Sequence, residues 1–140
     1  MEGCHDHDHE QENVYEALEQ ELQVILSLDH PNIIKMHQVV YDNNYINIVM
    51  ELVQGKTLAD LLARGNDDAK DFTPISEDLC KIIMYQCTVA LIYLYSQKLA
   101  HRDIKLDNIM ICGFDVKNHE SNDLRNCKIK LIDFGLSKYK

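Results

Sequence analysis

Three polar side chains with complementary chemistry fall within one short segment of the chain. Asp103, Lys105 and Asn108 belong to the sequence HRDIKLDN, which lies between an apolar helical pattern and an apolar triplet. A carboxylate can accept a proton, a lysine can neutralise phosphate charge, and a carboxamide oxygen can bind a hard cation. This grouping predicts a loop suited to phosphoryl transfer.

A second candidate metal ligand, Asp133, lies further along the chain. It begins the tripeptide DFG, directly after the strand-like segment KIKLI. The glycine of this tripeptide suits a turn at the end of a strand. Carboxylate and carboxamide oxygens are ligands of Mg²⁺ in proteins, so Asp133 and Asn108 could share one Mg²⁺ ion.

The two segments together resemble the catalytic loop and the metal-binding loop of the eukaryotic protein kinases. HRDIKLDN fits the pattern H-R-D-x-x-x-x-N, and LIDFGLSK contains the DFG that follows it in that family. Lys105 resembles the lysine of the serine/threonine branch, and DFGLSK is most similar to calcium/calmodulin-dependent kinases and their relatives. The resemblance implies an α+β, two-lobed fold.

The resemblance also implies the roles of the catalytic residues. Asp103 would orient the substrate hydroxyl and accept its proton, and Lys105 would stabilise the γ-phosphate as charge develops. Asn108 and Asp133 would hold Mg²⁺. Each of these residues, taken singly, is also an ordinary turn former or helix cap, so the prediction rests on their joint occurrence in this order.

The resemblance implies that four further residues take part in binding ATP. Backbone groups of Glu51 and Val53, in the segment that resembles the hinge between kinase lobes, would bond the adenine, and Met110 would pack under the ring. Glu21 matches the family's αC glutamate by its distance from the HPNI turn. That glutamate pairs in the family with a strand lysine, but the first lysine printed here is Lys35, beyond the helix.

We expect residues 12–140 to be a partial kinase domain that runs from αC to DFG. Gly3 is the only glycine before Gly55, so no glycine-rich phosphate loop is present in the printed sequence. One hypothesis is an ATP-dependent serine/threonine protein kinase, here an incomplete domain, that acts on protein serine and threonine. The alternative is a catalytically inactive, truncated kinase-like protein that acts as a binding module. The isolated 140 residues are expected to be inactive.

Hydrophobic periodicity and turn signals predict the elements that position these residues. Two antiparallel strands joined by Asp42-Asn43-Asn44 should follow an N-terminal helix, with one face of the second strand buried. A long, largely buried helix should lead to the catalytic loop. The predicted helices are 12–28, 57–64 and 76 to about 97, and the predicted strands are 33–41, 45–51, 109–111 and 128–132.

Charge and cysteine usage limit the class of protein and its partners. The net charge is −9, and the acidic N-terminal segment argues against binding to nucleic acid or to anionic membranes. Residues 1–11 are expected to form a disordered acidic tail whose histidines could bind Zn²⁺ or Cu²⁺ weakly. The five cysteines, without CxxC spacing, indicate reduced thiols and a cytoplasmic or nuclear protein. Cys80 and Cys87 are expected on one buried helix face.

Overall fold

The computed structural model describes residues 19–42, 45–63, 75–113, 124–133 and 138–139. The chain divides into two units. The first comprises Met1–Leu28 and Lys35–Met50, and the second comprises Asp29–Ile34 and Glu51–Lys140. The predicted acidic tail, residues 1–11, lies outside the described residues.

Where the structure describes the first unit, it consists of one helix and one pair of antiparallel strands. Helix α1 is described over residues 19–27 and buries Leu22 and Ile25. Strands β1 (Met36–Asp42) and β2 (Tyr45–Met50) pair antiparallel, with an irregularity between Met36 and Gln38. The Lys35 ammonium group donates to the carbonyl of Leu28 at 2.8 Å, just beyond the end of α1. A cation at a helix C-terminus is stabilised by the helix dipole.

The prediction that β2 has one buried face is wrong. All six of its residues are exposed, with Tyr45 at 69% and Ile48 at 38%. Within the described part of the chain no third strand pairs with this hairpin. The side chains of β2 therefore alternate between two faces of the strand, but within the described residues neither face is buried. The first strand also begins three residues later than predicted, because Ile33 and Ile34 pair with β6 instead.

The described residues of the second unit form a short helix, a long helix and five short strands. Two antiparallel sheets have the orders β3-β5-β6 and β4-β7. The elements are β3 (Gly55–Thr57), α2 (Leu58–Leu62), α3 (Glu77–Ser96), β4 (Leu99–Ala100), β5 (Ile109–Cys112), β6 (Lys128–Leu131) and β7 (Lys138–Tyr139), with 3₁₀ turns at Leu106–Asn108 and Leu124–Asn126.

Strand β3 was missed, and α2 starts one residue later than predicted. Thr57 ends β3 and is also the N-cap of α2, since its hydroxyl accepts from the backbone N–H of Asp60 at 3.0 Å. Gly55 lies so close to β5 that a Cβ atom there would collide with the carbonyl oxygen of Ile111. This glycine therefore allows the close approach of β3 to β5.

Strands β5 and β6 of the three-stranded sheet share one buried face. Ile111 and Ile129, which are paired across β5 and β6, are 2% and 0% exposed. Strand β6 packs against α3. Met110 and Lys130 are likewise paired, and both are half-buried on the opposite face of the sheet. The strands predicted at 109–111 and 128–132 are present as β5 and β6, within one residue of their predicted ends.

Helix α3 has a buried stripe and a broad exposed face. The Ser76 hydroxyl caps it by accepting from the backbone N–H of Leu79 at 3.2 Å. Burial is confined to Leu79, Ile83, Cys87, Ala90 and Leu94.

The prediction that α3 is buried over most of its circumference is wrong. Met84 is 58% exposed and Leu91 38%, whereas both were expected to widen the buried face. Cys87 is buried as expected, but Cys80 in the first turn is exposed. Helical spacing fixes the angle at which a side chain leaves the axis, but it does not show how far around the helix the covering layer extends.

By length and composition alone, α3 is apolar enough to cross a membrane. It is the only described helix of that kind, and a core helix of a globular domain passes the same test. Its buried stripe packs on β6, and Gln86 forms hydrogen bonds to that strand and to the residue before it. Because α3 makes these contacts, its length and apolar composition are only weak evidence that it crosses a membrane.

The segment Asn32–Ile34 is bonded to β6 and α3 through backbone and side-chain groups. The Asn32 amide nitrogen donates to Gln86 Oε1 at 2.7 Å and to the carbonyl of Ile129 at 2.9 Å. Gln86 Oε1 also accepts from the backbone N–H of Ile129, and its amide nitrogen donates to the carbonyl of Cys127 at 3.0 Å. Leu131 exchanges backbone hydrogen bonds with Asn32 and Ile34. This network fixes the strand that leads to Asp133.

Replacing Lys98 with glycine is expected to raise the free energy of unfolding by about 0.5–1 kcal/mol. Lys98 follows the C-cap Gln97 of α3 and has a φ of 58°, in the left-handed region that costs a side chain steric energy. The variant would be measured by urea unfolding. Gln97→Gly is the matched control, since Gln97 has a φ of −86° and should gain nothing. Equal or lower stability of Lys98→Gly would contradict the expectation.

Candidate active site

The segment HRDIKLDN lies between β4 and β5 of the second unit. Strand β4 immediately precedes His101 and pairs with β7, so that Leu99 lies opposite Tyr139 and Ala100 opposite Lys138. The chain on one side of the segment is thus bonded to the chain beyond Asp133. The 3₁₀ turn Leu106–Asn108 then leads directly into β5.

Asp103 lies at the centre of a cluster formed by the three residues first singled out. Its Oδ2 atom is 2.8 Å from the Lys105 ammonium nitrogen and accepts from the Asn108 amide nitrogen, also at 2.8 Å. Asn108 donates further to the backbone carbonyl of Asp103 at 2.9 Å. The hydrogen bonds from Lys105 and then Asn108 lower the pKa of Asp103, and Asp103 raises the pKa of Lys105. Both groups are therefore charged at neutral pH.

The orientation of the Asn108 amide suits it to bind a cation. Its nitrogen faces two oxygens of Asp103, which assigns the nitrogen to that side, because an amide oxygen there would meet acceptors only. The amide oxygen takes part in none of these bonds. Carboxamide and carboxylate oxygens fit Mg²⁺, which commonly takes only one or two protein ligands beside phosphates and water. No group of three His, Cys, Asp or Glu side chains gathers within the described residues.

Asp133 is held beside the catalytic segment by the residue that precedes it. The Ile132 N–H donates to the carbonyl of Asn108 at 2.9 Å, and the Ile132 carbonyl accepts from His101 Nε2 at 3.2 Å. Asp133 itself is exposed and has a φ of 62°. A non-glycine residue in this region costs energy and persists where the surroundings impose it, commonly at functional sites. The predicted proximity of Asn108 and Asp133 has this backbone basis.

His101 is a buried structural residue of the site. It is 2% exposed, and its Nδ1 atom accepts from the backbone N–H of Asp103 at 3.4 Å. With Nδ1 accepting and Nε2 donating to Ile132, the ring is in the neutral Nε2–H form. Burial lowers its pKa, against the opposing effects of the Ile132 bond and the charges of Asp103 and Asp133.

The free energy of unfolding is expected to fall as the pH is lowered below about 6.5. Since burial depresses the pKa of His101 in the folded chain, the unfolded chain binds more protons below 6.5. The stabilisation is fully present above that pH and is lost toward the lower, folded pKa. The slope is at most about 1.4 kcal/mol per pH unit for one histidine.

This pH dependence is measurable by urea unfolding at several pH values. His30, whose pKa is also lowered by burial and by Lys130, contributes with the same sign. His101→Gln should therefore reduce the slope without removing it. An unchanged slope in that variant would contradict the assignment of His101 as neutral and buried.

The residues expected to contact adenine lie in the second unit. Glu51 and Val53 are half-buried in a stretch without regular secondary structure, and Met110 is on the half-exposed face of β5. Met110 has Thr57 opposite it on β3 and Lys130 opposite it on β6. The Glu51 carboxylate pairs with the Lys130 ammonium group at 2.5 Å.

Glu21 belongs to α1 in the first unit, where it is half-buried. The structure describes that unit separately from the catalytic segment, so the predicted role of Glu21 toward the nucleotide stays a prediction. The remainder of the DFG motif after Asp133 lies outside the described residues.

Sequence reasoning missed two sets of residues that support the site. Lys130 was counted only as part of a strand, although its alternation with Ile129 and Leu131 placed it on the polar face. Gln86 was treated only as part of the long helix, and Asn32 only as part of the HPNI turn. Their partners lie far along the chain, so no local pattern could have identified them.

A comparison with known protein families covers nearly the whole chain. The sequence model of the family described as "Protein kinase domain" matches residues 4–140. The chain belongs to the protein kinase family. The predicted α+β fold class and the assignment to protein kinases are thereby confirmed.

Curated relatives of this kinase chain include serine/threonine kinases from several organisms. Meiosis-specific serine/threonine-protein kinase MEK1 of Saccharomyces cerevisiae is 37% identical over 121 residues, which cover 86% of this chain and 22% of that protein. A probable myosin light chain kinase of Dictyostelium discoideum is 38% identical over 122 residues, covering 87% and 34%. Calcium-dependent protein kinase 6 of Plasmodium berghei is 34% identical over 119 residues, covering 85% and 7%.

The kinase chain spans about a third or less of the length of these relatives. The name of the relative from Saccharomyces cerevisiae supports the predicted serine/threonine class. The closer resemblance to calcium/calmodulin-dependent kinases is supported only in part, by the relative from Plasmodium berghei that is named calcium-dependent and by the probable myosin light chain kinase.

Proposed function

We propose that the protein containing this chain transfers the γ-phosphoryl group of ATP to serine and threonine hydroxyls of proteins. The observation that carries the proposal is the cluster in which Lys105 and Asn108 both bond one oxygen of Asp103. It joins a fixed carboxylate, a cation and a cation ligand within one loop. Phosphoryl transfer depends mostly on such positioning and electrostatic stabilisation.

Asp103 would orient the attacking hydroxyl and receive its proton. Its lowered pKa keeps it ionised at neutral pH, so it can accept a hydrogen bond from the hydroxyl before transfer. Lys105 is 50% exposed on its side chain and so has room to bond both Asp103 and an incoming phosphate. Its positive charge would offset the charge that develops on the transferred group.

ATP and Mg²⁺ would be held by residues on both sides of this cluster. The Asn108 amide oxygen and the Asp133 carboxylate would hold Mg²⁺, which when bound neutralises phosphate charge. Backbone groups of Glu51 and Val53 would bond the adenine, and Met110 would pack against the ring. Glu21 would take part only if a lysine partner is available in the full-length protein.

The proposed reaction is testable with the natural full-length protein. It should transfer ³²P from γ-labelled ATP to a pool of serine and threonine peptides in the presence of Mg²⁺, and phosphoamino acid analysis should show phosphoserine or phosphothreonine. Asp133→Asn should remove most of this transfer. Label on tyrosine alone would contradict the proposed class. Nucleotide binding without transfer in the wild-type protein would instead favour the alternative of a non-catalytic binding module.

A further inference from the structure

The Lys130 side chain connects three separate parts of the second unit. It projects from β6, and its ammonium group lies 2.5 Å from Glu51 Oε1 and 3.4 Å from the carbonyl oxygen of Ile33. Both charged side chains are mostly buried, with Lys130 22% and Glu51 28% exposed. A charge removed from water to this extent needs its partner, since loss of either one leaves the other poorly solvated.

The backbone that carries Lys130 is firmly anchored. Strand β6 pairs with β5 along its whole length, and the Gln86 side chain bonds the backbone N–H of Ile129, the residue before Lys130. Glu51, in contrast, begins the stretch 51–54, which has no regular secondary structure. The ion pair therefore ties an irregular segment to a fixed strand.

The ion pair also lies close to Met110, the residue expected to pack under the adenine ring. Lys130 lies directly opposite Met110 on β5, on the same half-exposed face of the sheet. Because Lys130 holds the segment that begins at Glu51, it also sets the distance between that segment and Met110. Backbone groups can select a planar base only if their spacing from such a surface is fixed.

We propose that Lys130 is a positioning residue for nucleotide binding, which fixes the Glu51 segment so that its backbone can bond adenine. This inference rests on the proposed function above, because it takes Glu51 and Val53 as the adenine contacts. In this proposal Lys130 acts through Glu51, to which it is bonded, and not through a contact of its own with the base or the phosphates. Its effect should therefore appear in recognition of the base and not in recognition of the phosphate chain.

Adenosine and inorganic tripolyphosphate separate these two effects when their binding to the natural full-length protein is measured by equilibrium dialysis. Lys130→Met should weaken adenosine binding about tenfold, the order expected when a half-buried ion pair is broken. Tripolyphosphate binding should stay within about twofold. Lys130→Arg, which keeps the charge, should retain adenosine binding within about threefold. Lys128→Met is the matched control on the same strand, where the lysine is exposed, and should bind adenosine like the wild type.

A double-mutant cycle shows whether the effect passes through Glu51. Glu51→Gln should weaken adenosine binding about as much as Lys130→Met, and the double variant should be no weaker than either single variant. If Lys130→Met does not fold, Glu51→Gln and Lys130→Arg still test the role of Lys130. Each variant is checked by thermal unfolding before binding is measured.

Three results would overturn the role of Lys130: unchanged adenosine binding in both Lys130→Met and Glu51→Gln, additive losses in the double variant, or an arginine variant as weak as the methionine variant. A wild-type protein that binds no adenosine would instead refute the proposed adenine site itself. The two failures are therefore distinguishable.

Discussion

Replacing Asp103 with asparagine is expected to lower kcat for phosphoryl transfer about 10²- to 10⁴-fold, the range for loss of a positioned general base. Asparagine has nearly the same shape but cannot accept a proton at neutral pH. It also removes the charge that holds Lys105, whose ammonium group lies 2.8 Å from Asp103 Oδ2. The measurement is steady-state transfer from Mg²⁺–ATP to a serine peptide by the full-length protein.

Asp107→Asn is the control for Asp103→Asn. Asp107 lies in the same loop, is exposed, and belongs to the 3₁₀ turn that precedes β5. Its replacement should leave kcat within about threefold, since screened surface charges contribute little. The affinity for ATP should also be nearly unchanged in Asp103→Asn. An Asp103→Asn protein that is folded and retains a tenth or more of the wild-type kcat would contradict the role of Asp103.

Replacing Gln86 with leucine should lower the free energy of unfolding by about 2–4 kcal/mol. The Gln86 amide bonds the backbone N–H of Ile129, the carbonyl of Cys127 and the side chain of Asn32. Ile129 and Cys127 are buried, so leucine would leave their backbone groups without these partners in a region of little water. Each unsatisfied buried group costs about 1–3 kcal/mol.

Urea unfolding gives this stability change directly. Thr88→Ala is the matched control, because Thr88 is exposed on the same helix and bonds only the carbonyl of Met84. It should change stability by about 0.5 kcal/mol or less. A loss below about 1 kcal/mol in Gln86→Leu would show that the network is not a main support of β6.

The catalytic segment was predictable because its chemistry is local. Asp103, Lys105 and Asn108 are close in sequence, so any compact loop brings their side chains within reach of one another. The observed distances of 2.8 Å agree with that expectation. The capped start of α3 at Ser76 was predictable for the same reason, since a cap involves residues only three apart.

Burial and long-range pairing were less predictable. The alternation in β2 fits a half-buried strand, yet every residue of β2 is exposed, because burial depends on what other segments cover the strand. The pair formed by Lys130 and Glu51 joins residues that are 79 positions apart. The role of Gln86 likewise depends on Asn32, which is 54 positions away. Contacts between residues so far apart in the sequence cannot be predicted from the local pattern of apolar and polar residues.

The proposed phosphoryl transfer depends most directly on Asn108 and Asp133 holding one divalent ion with the nucleotide. Electron paramagnetic resonance of Mn²⁺ with a non-hydrolysable ATP analogue measures that affinity in the full-length protein. Asp133→Asn and Asn108→Leu should each weaken Mn²⁺–nucleotide binding tenfold or more, on the order of one lost charged or polar ligand. Asp107→Asn should leave it unchanged. Wild-type affinity in both the Asp133 and the Asn108 variants would contradict the site.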